Sequence, residues 1–160
     1  MLAMLAKAEA HAEAKSIDPS ALLEARLRPD MFSFTGQIEM IGGSTYRGIA
    51  RLMGNEPTSV EAPKADFAAL KAYILGAQKC VQEADGAAID ANAETSFAVD
   101  FGPTIKMQFT GHSYAFAFLL PNTMFHVSTA YAILRERGVE LGKIDLLGSF
   151  VGQFGVTPVA

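Results

Sequence analysis

His126 has the strongest claim to chemistry in this sequence, because the surrounding segment from Pro121 to Arg135 is otherwise mostly apolar. A neutral imidazole presents one donor and one acceptor, and it titrates close to physiological pH. If the segment is helical, Asn122, Thr129, Ala130 and Ile133 fall beside it, a polar strip on an apolar surface that turns the ring inward. Two roles follow. One is a buried histidine hydrogen-bonded to a carbonyl, hydroxyl or amide, tying this helix to its neighbours. The other is the wall of a pocket for a small polar ligand, shared with Asn122 and Thr129. Tyr131 could add a hydroxyl to such a pocket, although aromatic residues on packed helices more often serve core or interface.

The remaining reactive side chains have weaker credentials. His11 lies between Lys7 and Lys15 at helical spacing, a pattern of a solvated face. His112, in Thr110-Gly111-His112-Ser113, reads as a loop residue. Cys80 is the sole cysteine, so no intramolecular disulfide forms, and a small buried hydrophobe is the expected role. Asp30, with Arg26 and Arg28 nearby, is expected to cap the helix that follows. Lys143 and Asp145 read as a surface pair or as a clamp on the chain's final segment. No local motif joins a serine or cysteine to a histidine and an acid.

The bounds on function are set by charge and hydropathy. A net charge of −4 with scattered lysines and arginines, and a pI near 5.3, give no electrostatic footprint for nucleic acid. Met1 to Ala6 is too short for a signal-peptide core, and the longest apolar run, Tyr114 to Leu120, is far below the ~20 residues a membrane helix needs. A cytoplasmic protein without nucleic-acid or membrane partners is expected. At 160 residues, a single domain over 1–160 can bury its own core. No capping residue precedes Met1, so the natural domain is expected to extend upstream.

Four helices and one hairpin must position these residues. Leu2, Leu5, Ala8 and Ala12 set a first helix from Met1 to about Lys15. Ile17 to Ser20 breaks it, and Ala21 to Leu27 forms one or two turns before Arg28-Pro29. A second helix follows Asp30, carries Met31, Phe34, Ile38, Ile41, Ile49 and Leu52 on one face, and closes at Gly54. Gly42-Gly43 costs about 1 kcal/mol per glycine within it and marks a kink or a close helix contact. Lys64 to about Glu83 is a third helix with Phe67, Leu70, Ile74 and Val81 buried, ended by Asp85-Gly86.

The period then changes to two. Ser96–Phe101 and Ile105–Thr110 read as an antiparallel hairpin around Gly102-Pro103-Thr104, with Phe97, Val99, Phe101, Ile105, Met107 and Phe109 facing the helices. Pro121 starts a fourth helix capped by Asn122 or Thr123, running to about Arg137 and stopped by Gly138. Gly142 to Gly148 packs back on the domain.

The block from Pro121 to Arg135, continued by Gly138 to Lys143 and Asp145 to Gly148, resembles a bacterial domain-of-unknown-function family numbered nineteen ninety-three, grouped with the DinB/YfiT-like proteins. Ala25 to Met31 with Gln37, and Lys7-Ala8 with His11-Ala12, resemble earlier blocks of that family. The resemblance implies a mainly α fold, an up-and-down four-helix bundle with a β-hairpin before the last helix, often dimeric. It also implies a metal question. Metal-binding DinB-like relatives use one histidine from the second helix and two, four residues apart, on the fourth, a spacing that puts both imidazoles on one face.

Here His126 stands at the first of the paired positions, but Ala130 occupies the second and Gln37 is the facing polar residue. Glutamine is a poor transition-metal ligand beside imidazole. No cofactor is therefore expected; zinc or nickel at His126, with His11 as a further ligand, is the alternative. Two functions from different classes stand. One is a bundle that binds a small molecule between Gln37 and His126, or self-associates as a homodimer, without a complete metal site. The other is a divergent metal- or thiol-cofactor-dependent transferase or hydrolase, which rests on analogy of fold.

Overall fold

The computed structural model describes residues 1–147. Gly148 and the remainder of the expected 1–160 domain lie outside the described residues. The described chain is mainly helical with one two-stranded antiparallel hairpin. Helix α1 (Leu2–Lys15) buries Met4, Leu5, Ala8 and Ala12, and it ends where Ser16 turns left-handed at φ 50°. Helix α2 (Pro19–Leu23) starts earlier than the expected Ala21, because Asp18 accepts from the Ser20 N–H at 2.9 Å and Pro19 suits a first turn.

Helix α3 (Phe34–Leu52) also departs from expectation. Ser33, not Asp30, caps it by accepting from the Gly36 N–H, while Arg28 to Met31 closes a turn through Met31 N–H to Arg28 O. The proline biases the preceding residue away from helical geometry, and Ser33 is the next small oxygen positioned to cap. Helix α4 (Phe67–Gln82), capped by Asp66, buries Phe67, Leu70, Ile74 and Ala77. Val81 is exposed, contrary to its helical spacing, because the core on this side ends at Ala77. Asp85 then caps a short helix α5 (Gly86–Ala91), where the sequence suggested only a stop.

Strands β1 (Ser96–Phe101) and β2 (Ile105–Thr110) pair in the expected register, Phe101 opposite Ile105 and Ser96 opposite Thr110. Val99 and Phe109 are buried, and Phe97 and Phe101 are half-buried. Ile105 and Met107, expected to face the helices, are 55% and 47% exposed. The inner strand explains this: Phe97 meets the ring of Tyr114 at 5.3 Å and Phe101 that of Phe118 at 4.8 Å, so β1 takes the helical surface and the distal half of β2 has none left.

The fourth long helix starts ten residues before the expected Pro121. Thr110 and Ser113 form a reciprocal capping box on α6 (Gly111–Ser113), which continues through a π-helical stretch, Tyr114–Leu119, into α7 (Leu120–Glu136). His112 therefore sits on a helical turn, not in a loop. Asn122 and Thr123 cap nothing. Pro121 lacks an N–H and presses on the carbonyl four residues back, which lies within the wider π turn; the irregularity accommodates the proline inside a continuous helix. Gly138, at φ +83°, ends it as expected, and Arg135 Nη1 donates to Leu141 O at 2.7 Å to fold the following segment back.

Helix α3 packs on both α4 and α7, and α1 packs on α4, around one core that includes Leu5, Phe34, Ile38, Leu70, Ile133 and Leu134. A smaller aromatic cluster of Val99, Phe109, Tyr114 and Leu119 anchors the hairpin. No helix among the described residues is long and apolar enough to cross a membrane. The glycines of α3 permit its close approaches: a Cβ on Gly42 would overlap the Tyr73 ring, and one on Gly48 would overlap the Leu119 side chain.

In an unpacked helix Gly→Ala stabilises by about 1 kcal/mol. Gly42→Ala should instead destabilise by about 1–3 kcal/mol through overpacking in urea denaturation. Gly86→Ala, where nothing lies within 4 Å of the new methyl, serves as the control and should be neutral or stabilising.

Candidate functional site

Helices α3 and α7 run antiparallel, and the residues facing across them can be followed from end to end. Gln37 meets His126, Ser44 meets Asn122, Gly48 meets Leu119 and Arg51 meets Tyr114. At the first of these, Gln37 projects from the first turns of α3 and is 1% exposed, and His126 from α7 is 5% exposed. The Gln37 amide nitrogen donates to Phe32 O at 3.2 Å, which directs Oε1 toward His126 Nδ1 at 2.7 Å. The nitrogen facing an acceptor oxygen carries the proton, so this arrangement selects the Nδ1–H tautomer and leaves the Nε2 lone pair free.

The surroundings keep the ring neutral. Burial lowers its pKa from histidine's ordinary 6.5, and no carboxylate offsets that effect. Nε2 has no hydrogen-bond partner among the described residues. Two phenylalanines pack near the imidazole ring: Phe125 stands edge-on at 5.2 Å between centroids and Phe32 is tilted at 6.4 Å. Both are themselves more than half exposed, at 56% and 53%. The result is a buried imidazole fixed in orientation beside two exposed aromatic rings.

Of the five candidate pocket residues, the structure brings Gln37 and His126 together. Asn122 lies one turn away on the same seam, its amide donating to Ser44 Oγ at 3.2 Å. Thr129 spends its hydroxyl on Phe125 O within the helix. Tyr131, five residues beyond His126, is rotated about 140° around the helix and packs against the main core instead. Phe32 and Phe125 were not singled out from sequence. An exposed aromatic directly before an inward histidine was the available signal for Phe125; Phe32 has none, since its place depends on the turn before Ser33.

The donor set does not fit a metal ion. His126 offers one nitrogen, Ala130 offers none at the next helical position, and the Gln37 oxygen is engaged by the imidazole. Among the described residues, no three His, Cys, Asp or Glu side chains converge. His11 is half-buried, not fully solvated, and lines a separate cleft of about 430 Å³ with Lys7, Lys15 and Glu140. His112 is exposed and stacks on Phe116 at 4.9 Å. Cys80 is half-buried, and burial, then the Glu83 charge, pushes its thiol pKa up, so it stays protonated. Asp145 pairs with Lys7 at 2.7 Å, not with Lys143. It also accepts the Gly142 N–H, which with Lys7 holds its pKa below the usual carboxylate value.

Removing one partner of the buried pair strands the other. Gln37→Leu should destabilise by about 1–3 kcal/mol, and Gln37→Leu with His126→Phe by less than the sum of the two single changes. The pH response has a definite sign. Above pH 6.5 His126 is neutral in both states, whereas below it the unfolded chain accepts a proton that the folded chain resists. Stability should therefore fall as pH drops from 6.5 toward the lower folded value. Urea midpoints between about pH 7.5 and about pH 5.5 should show this decline shrinking in the double variant; an equal decline would contradict it.

The chain matches the family described as domain of unknown function DUF1993 over residues 1–147. It is also similar to the crystal structure of a DinB family member from Shewanella denitrificans. That similarity has a TM-score of 0.81 and 34% identity, over 91% of this chain and 82% of that one. No curated protein matches the chain. A match spanning every described residue leaves one conclusion: the chain belongs to the DUF1993 family.

Proposed function

We propose that this chain is a cytoplasmic, bundle-type binding protein whose site lies beside His126, against Phe32 and Phe125, and that it works without a metal ion. The observation that carries this reading is the 2.7 Å contact between His126 Nδ1 and Gln37 Oε1. It commits the histidine to a neutral, oriented form whose free lone pair accepts a hydrogen bond. The ligand chemistry that suits it is a hydroxyl or N–H donor on a flat apolar body, small enough to lie between Phe32 and Phe125.

A second reading, self-association as a homodimer, is favoured by one further observation. Phe116, Leu120, Met124 and Phe125 are all exposed along the π-helical stretch and α7, and Phe32, which packs near the His126 ring, is exposed as well. Apolar surface of this kind is more often covered than left to water. The metal- or thiol-cofactor-dependent transferase or hydrolase remains the alternative, supported by kinship to a DinB family member alone. The up-and-down order of the four long helices belongs to this proposal too, supported by the same kinship and by the antiparallel α3–α7 seam.

Phenol is a suitable probe, having one donor and one ring. Titrated into the labelled chain, it should shift the His126 Nε2 resonance saturably, and the shift should vanish in His126→Phe. Metal analysis of tag-free protein should give far less than one zinc, nickel or manganese per chain. Stoichiometric metal that is lost on His126→Ala would overturn the metal-free reading. Light scattering at micromolar concentration should give a dimer mass, lowered to a monomer by Leu120→Glu; a monomeric native chain would sink the self-association reading alone.

A further inference from the structure

The far end of α3 carries a cation that the His126 site does not use. Arg51 lies in the last helical turn, about 20 Å along the axis from Gln37 at 1.5 Å per residue. Its Nη1 donates to Tyr114 Oη at 3.4 Å, and its guanidinium carbon stands 5.9 Å from the centre of that ring. Tyr114 is buried and boxed in by Phe97, Phe109 and Phe118, so the shelf beneath the guanidinium is fixed. A guanidinium has five N–H donors. One is used here, and among the described residues no carboxylate lies within ion-pairing distance of Arg51.

The open side of Arg51 is a cleft of about 350 Å³, bounded by Asn55 and Pro57 after α3, by Asn92 and Thr95 after α5, and by Phe97 on β1. Its size falls within the range of small-ligand sites, roughly 300–1,000 Å³. The amides and the threonine hydroxyl supply donors and acceptors, and Phe97 and Pro57 supply an apolar wall.

We infer that this cleft is a second binding site, for a small monocarboxylate held by Arg51. The planar fork of a guanidinium matches a carboxylate through two parallel hydrogen bonds. The charge balance argues against a dianion such as phosphate: Arg51 is the single cation lining the cleft among the described residues, whereas Glu56 and Asp100 both border it. Asp100 is partly offset by Lys106 at 3.5 Å, and Glu56 forms no ion pair among the described residues. A monoanion with an apolar body satisfies Arg51 with the least repulsion from these two groups. The site is independent of the one proposed beside His126, so either can fail without the other.

Benzoate is the probe, with benzyl alcohol and inorganic phosphate as controls, titrated into the isotope-labelled full chain and read by NMR at Arg51 Nε–H and at the amides of Asn55, Asn92 and Thr95. Benzoate should produce saturable shifts at these positions, with both controls at least about tenfold weaker. Arg51→Gln should weaken benzoate by about tenfold or more while leaving the His126 resonances in place, and Glu56→Gln should tighten it. If Arg51→Gln does not fold, Arg51→Lys keeps the charge over Tyr114 and removes the fork, and it too should bind more weakly. The inference is overturned if Arg51 Nε–H shows no saturable shift, if benzyl alcohol binds as well, or if the folded arginine variant binds benzoate as tightly as the native chain. Any of these would mean that Arg51 only stitches α3 to Tyr114.

Discussion

The hydrogen bond from His126 Nδ1 to Gln37 Oε1 is the constraint around which the described structure is arranged. Apolar helix faces attract one another without strongly specifying how far one slides along the other, but a buried polar pair has one satisfied register. Gln37 cannot simply follow a displaced imidazole, because its amide is also held by Phe32 O at the turn that delivers the chain to the Ser33 cap. The capping of α3, the turn before it and the position of α7 are thus coupled through two side chains. Farther along the same seam, Ser44 with Asn122 and the close packing of Gly48 against Leu119 repeat the register.

The opposite end of the seam solves a different problem. A two-stranded hairpin is marginal alone, and this one gains its support from rings: Phe97, Phe101 and Phe109 pack on Tyr114 and Phe118 of the π-helical stretch. The π turn gives these aromatic residues their placement and accommodates Pro121 a few residues later. One irregularity therefore serves both the hairpin and the continuity of the helix that bears His126. The two ends are chemically unlike: a neutral imidazole between phenylalanines at one, an arginine on a tyrosine at the other.

Much of this was legible in the sequence. Helical spacing located the buried faces of α1 and α3 and, Val81 apart, of α4, strict alternation located both strands, and Gly42-Gly43 marked a kink or a close contact, of which the Tyr73 ring against Gly42 is the contact. Resemblance to the family pointed to Gln37 opposite His126. The boundaries were less legible where two signals competed. Asp30 reads as the cap because it follows Pro29, and the turn from Arg28 to Met31 that moves the start of the helix to Ser33 has no local signal. Pro121 reads as a helix start by local rule, and nothing local reveals that a wider turn upstream removes the conflict. The exposure of Ile105 and Met107 depends on which strand reaches the helices first, and that is a tertiary fact. Tyr131, five residues beyond His126, falls on another face of the helix and packs on the core, the commoner role for an aromatic residue there.

The tautomer of His126 tests the central claim most directly, and long-range ¹H–¹⁵N correlation spectra of the native chain report it. The prediction is a neutral ring at pH 6.5 with the proton on Nδ1 and an unprotonated Nε2, reverting to a mixture when Gln37 is replaced by leucine. A ring protonated on Nε2, a fully charged imidazolium at that pH, or a resonance displaced by a bound metal would each contradict the account.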